Sequence, residues 1–226
     1  MSTGTSSPLR VGIVVVAPVV LLAVLGYHPH LPGRQPNVEA LAEAVGSDPT
    51  RWGLVHLATG VASALLSLAF LAVRAHLRAA GEDRWSAAGL PFVVFGGTLY
   101  AMLPAMELAP LAAHETDGDV VGAQEALLPL FVPVLVLGGL TFAVGAASFA
   151  VAVVRSTVLS PGLARIVAVA LVVMAVSRFV PLTSVQFFVQ GLAALAALLP
   201  LAHSMWRQAA DSVPGGLPAA PATGRV

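Results

Sequence analysis

The chain contains neither cysteine nor lysine. Without cysteine there are no disulfides, thiolate metal sites or thiol nucleophiles. Without lysine there is no Schiff base, which excludes a retinal-type pigment. Charge is scarce as well: 10% of residues are charged and 58% are hydrophobic, too little charge to cover a soluble domain of this size. There is no glycine-rich phosphate loop, HExxH, GxSxG or aspartate-rich diphosphate motif, and no serine has an attendant His and Asp at a sensible depth. The arginines are few and flank apolar runs, so nucleic-acid binding is unsupported.

What the sequence does hold is six long apolar stretches joined by short polar connections. A helix needs about 20 apolar residues to cross about 30 Å of hydrocarbon. The expected fold is therefore all-α, a polytopic integral membrane protein with six transmembrane helices and no room for a separate soluble domain. The spans are placed at about 9–27, 49–77, 86–110, 126–154, 161–180 and 183–206, within a single transmembrane domain covering 9–207. Local signals support these starts. Asp48-Pro49 and Ser160-Pro161 each place a capping side chain before a first-turn proline, and Thr183 with Gln186 has capping-box spacing. Pro181 interrupts a run too long for one span, which makes the last two spans a tight hairpin. Residues 1–8 and 208–226 are small and Pro/Gly-rich and read as disordered tails.

Arginine placement sets the orientation. With the N-terminus inside, eight of the eleven arginines are cytoplasmic and only Arg34, Arg51 and Arg178 are not, whereas eight of the eleven acids fall outside. This fits the positive-inside rule, with both termini cytoplasmic. Trp52, Trp85, Trp206 and Tyr27 sit at span ends, where amphipathic rings prefer the headgroup layer. In the first outer loop Val38, Leu41, Ala42 and Val45 recur at helical spacing opposite Glu39 and Glu43. That pattern predicts a short amphipathic helix on the membrane surface or capping the bundle.

Polar residues gather toward the outer side. By distance from the span ends, His56, Glu107, Arg178 and Gln190 fall at similar depth, with Tyr100 deeper in the third span. Intramembrane ionisable groups are costly and face the bundle interior with a partner. Glu107 and Arg178 are the expected pair, a carboxylate and a guanidinium able to satisfy each other bidentately. That pair could lock the helices or form an anion or proton site. His56 either hydrogen-bonds a neighbour, relays protons beside Glu107 or, with His28, His30 or His114, offers imidazoles to a metal or haem. Met102 and Met106, one turn apart beside Glu107, allow a copper reading against that of plain packing residues. His76 and His203 read as interfacial. No cofactor is expected from the motifs themselves, haem and copper being the alternatives these positions allow.

Three functional classes follow. The first is a non-catalytic or accessory bundle protein with a polar pocket on the non-cytoplasmic side. The others are a small-solute or ion transporter using Glu107, Arg178 and His56, and a metal- or haem-dependent redox enzyme. The expected partners are the lipid bilayer, here a bacterial inner membrane, and a membrane protein or second copy of the chain.

Overall fold

The computed structural model describes residues 8–211, which contain helices and connecting turns but no strand. The tails expected at 1–8 and 208–226 lie outside the described residues, apart from Pro8, which opens the first helix, and 208–211, which belong to the last. Eight α-helices and one 3-10 turn are formed among the described residues: α1 Pro8–Tyr27, α2 Val38–Ser47, α3 Pro49–Ala79, α4 Arg84–Met106, α5 Leu108–Glu115, α6 Val120–Arg155, α7 Pro161–Val176, a 3-10 turn Ser177–Phe179, and α8 Thr183–Asp211. They supply six stretches long and apolar enough to cross a membrane, with α4 and α5 counted as one and α7 running into the 3-10 turn.

Side-chain caps start three of the helices, whereas Ser160, expected to cap α7, makes no capping hydrogen bond and Pro161 alone marks that start. Asp48 Oδ1 accepts from the Arg51 amide at 2.9 Å ahead of Pro49, and Asn37 Oδ1 accepts from Ala40 at 3.1 Å to start α2. Asp119 does the same for Gly122 at 2.9 Å, so α6 begins at Val120, six residues before its predicted start. The predicted third span does not end at Pro110. The helix breaks at Glu107 and resumes as α5, because Pro104 and Pro110 remove amide donors on either side of that turn. The Thr183–Gln186 capping box does not form among the described residues. The Gln186 amide donates to the Leu182 carbonyl instead, and Thr183 is already within the first turn.

The six spans form a closed ring in chain order. α1 packs on α3, α3 on α4, α4 on α6, α6 on α7 and α7 on α8, and α8 returns to α1. The α4–α6 seam is the most extensive contact and is built on glycine. A Cβ on Gly96 would lie 2.6 Å from the Phe142 amide nitrogen, and one on Gly145 would lie 2.6 Å from that of Val93. Backbones this close tolerate no side chain, which is how small residues drive helix association in lipid. At one end of the bundle Phe70, Phe142, Phe149, Leu171, Leu198 and Met205 fill the interior, with Phe70 edge-on to both other phenylalanines. Leu54, Leu57, Phe95, Ile166, Val169 and Leu192 face outward. A chain that is apolar outside as well as inside suits a hydrocarbon solvent.

At the opposite end α2 and α5 pack against α3 and α6. They enclose a second, smaller apolar cluster of Leu31, Leu41, Ala44, Val45 and Trp52. This end carries His56, Glu107, Arg178 and Gln190.

Candidate functional site

Trp52 and His56 are four residues apart and therefore share a face of α3. The expected interfacial tryptophan is instead fully buried, 0% exposed beneath the cap. Its ring lies 4.2 Å from that of His56, and its Nε1–H donates to the Glu107 carbonyl at 2.9 Å. That carbonyl is free to accept because Glu107 occupies the turn between α4 and α5.

The Glu107 side chain turns toward α3. Its Oε2 lies 2.6 Å from His56 Nε2, and His56 Nδ1 lies 2.6 Å from the Trp52 carbonyl oxygen. A carbonyl only accepts, so Nδ1 carries the proton donated to it. A single further proton then bridges Nε2 and the carboxylate, whichever of the two holds it. His28, one residue beyond α1, has its ring 5.1 Å from that of His56 and 4.9 Å from Phe187 of α8. Its Nδ1 donates to the Pro29 carbonyl at 2.8 Å. Burial, with the neighbouring His56 ring second, lowers the His28 pKa to about 4, so the imidazole is neutral. The ligating atoms of His28, His56 and Glu107 all lie within 4.8 Å of one another.

Glu107 therefore pairs with His56 and not with Arg178. The expected ion pair fails because Arg178 lies deeper than Glu107 and meets α4 at Tyr100 instead. Its guanidinium stacks 3.7 Å from the Tyr100 ring centroid and 3.9 Å from that of Phe142. Tyr100 is seven residues inward of Glu107 on α4, about 10 Å of helical rise. Arg178 is 5% exposed, and its Nε and Nη1 have no hydrogen-bond partner. The Tyr100 hydroxyl is likewise unpartnered. Cation–π contact with two rings offsets part of the desolvation but leaves these donors free.

Both clusters line one cavity of about 380 Å³, within the range of small-molecule sites. Gln190 and Gln186 of α8 and Gln124 of α6 contribute polar groups, and Gln124 Oε1 has no partner. Leu21, Leu25, Leu103 and Phe131 are among its apolar walls.

Other predicted positions lie elsewhere. His30 is exposed and bonded to Ser184 Oγ at 2.8 Å, and His114 is half-buried beside Gly46. Met102 is 45% exposed, and neither it nor Met106 lines the cavity. His203 is exposed. His76, expected at the interface, is buried at the other end of the bundle, bonded to Ser204 and Gln208 of α8. The sequence reading missed Trp52, Phe187 and Gln124 as site residues. Only Trp52 had a usable signal, its i,i+4 spacing to His56.

No described protein family, curated protein or solved structure matches the chain, so its geometry and chemistry are the guide to its role.

Proposed function

We propose that this is a multi-pass protein of a bacterial inner membrane that binds, without transforming it, a small anionic amphiphile in its intramembrane cavity. Both termini are cytoplasmic in this reading, and the cavity faces the opposite side, following the arginine asymmetry. One observation carries the ligand reading. Arg178 is a permanent cation, nine-tenths buried, with two unpartnered donor nitrogens and no carboxylate partner among the described residues, at a cavity with apolar walls. A buried guanidinium with free donors is matched by a carboxylate or phosphate, and the surrounding leucines and phenylalanines by an apolar tail. A binding role is favoured over transport because the other half of the bundle is filled by packed core side chains, which leave no through-path in this conformation.

The test uses the full chain in neutral detergent, with octanoate and octyl phosphate as anionic probes and octyl glucoside as the uncharged control. The anionic probes should raise the melting temperature and the control should not. Arg178→Gln should bind them at least tenfold more weakly, the loss expected for a charge-assisted hydrogen bond of about 1.5–3 kcal/mol. Equal binding by the wild type and Arg178→Gln, or an equal response to the uncharged control, would refute the reading.

A further inference from the structure

We infer that His28, His56 and Glu107 form a binding site for one divalent transition-metal ion, zinc fitting best, with an open coordination position toward the cavity. The site does not depend on the amphiphile reading, since Arg178 is not a donor.

The donor set is the first argument. Two imidazoles and one carboxylate are a three-ligand zinc set of the kind that leaves a fourth position vacant. Tetrahedral bonds of about 2.0–2.1 Å hold the donors about 3.3 Å apart. Here the His56–Glu107 gap is 2.6 Å and every gap is within 4.8 Å. Metal entry would therefore widen the His56–Glu107 gap and draw His28 inward. His28 in its loop and Glu107 in the α4–α5 turn are the ligands able to make that adjustment.

Ligand orientation is the second argument, and it is independent of the first. Both imidazoles donate Nδ1–H to backbone carbonyls, His28 to Pro29 at 2.8 Å and His56 to Trp52 at 2.6 Å. This leaves Nε2 as the ligating atom of each ring, facing Glu107 in His56 and without a hydrogen-bond partner in His28, as outer-shell partners do for metal-bound histidine. Trp52 supplies further support by donating to the Glu107 carbonyl. A plain His–Glu hydrogen bond needs none of this from His28, whose Nε2 has no hydrogen-bond partner among the described residues.

The third argument is placement. All three side chains line the cavity, and a water molecule or an anionic ligand group could occupy the fourth position.

The experiment titrates cobalt(II), as a spectroscopic substitute for zinc, into chelator-washed full-length protein, following visible absorption and bound metal by elemental analysis. One equivalent of cobalt with a tetrahedral spectrum, displaced by zinc, is expected. His28→Gln and Glu107→Gln should bind at least tenfold more weakly. His30→Gln and His114→Gln should leave the spectrum unchanged. His28 lies in a loop, so His28→Gln is checked for a wild-type melting curve and serves as the deciding variant if Glu107→Gln does not fold. Absence of cobalt uptake by the wild type, unchanged affinity in His28→Gln, or loss of the spectrum in His30→Gln or His114→Gln would each overturn the proposal. An intact cobalt spectrum with no response to octanoate would leave this site standing and remove only the amphiphile reading.

Discussion

Replacing Arg178 with methionine exchanges a buried charge for an apolar chain of comparable reach. A charge within a span costs about 2.5–3.5 kcal/mol on insertion scales, and the unpartnered Nε and Nη1 place Arg178 toward the upper end. Stacking on Tyr100 and Phe142 offsets about 1–2 kcal/mol per ring when desolvated. Methionine keeps much of the aromatic contact without the charge. The net expectation is a gain of about 1 kcal/mol, a rise of about 2–4 °C in melting temperature for a chain of this length. The measurement is thermal unfolding of protein washed free of bound amphiphile. A fall of more than about 4 °C would refute the reasoning, because it would mean that the guanidinium has a stabilising partner even without ligand. With octanoate added the order should reverse, since only the wild type gains from binding. A residue that lowers stability when the cavity is empty and raises it when filled is placed for binding.

Gly145→Ala should cost about 1–3 kcal/mol in thermal unfolding, because its Cβ would lie 2.6 Å from the Val93 nitrogen, whereas Gly60→Ala, with open space around it, should be neutral or slightly stabilising; equal effects would count against the close α4–α6 seam. Trp52→Phe deprives the Glu107 carbonyl of its 2.9 Å donor and should lower stability by about 1–3 kcal/mol and weaken cobalt binding about tenfold; unchanged cobalt affinity would remove Trp52 from the supporting shell. The absence of native cysteine makes single-cysteine labelling clean. In intact cells a membrane-impermeant maleimide should label Glu115→Cys and not Thr157→Cys, both positions being exposed, and the opposite pattern would invert the proposed orientation.

The spans were readable because lipid demands long uncharged runs, and the Asp48 cap with Pro49, and Pro161 without a Ser160 cap, marked two of their starts. The break at Glu107 was harder to place, since Pro104 and Pro110 are both tolerated inside spans when neighbours re-satisfy the backbone. The Glu107–Arg178 pairing failed for a different reason. Counting from span ends put both side chains at one depth, whereas Arg178 meets α4 at Tyr100, seven residues inward of Glu107. His56 was set beside Glu107 and alongside His28, His30 and His114, but which histidine joins them depends on the path of the loop after Tyr27, which no periodicity encodes. Trp52 was misplaced because a tryptophan at a span end has the same sequence signature whether it faces headgroups or lies under a cap. In the structure α2 and α5 provide that cap.

The ring closes only where α8 meets α1, with the Leu22 side chain against Gly191. During synthesis each span can dock on the one inserted just before it, except the last, which must return to the first. Phe187 and Gln190 arrive with that final helix, while His28 has been waiting since the earliest hairpin. A nascent chain thus carries an unfinished cavity wall until α8 has been inserted and has docked on α1. Ligand or metal retention would then report that this last seam has closed, separating sealed bundles from open ones.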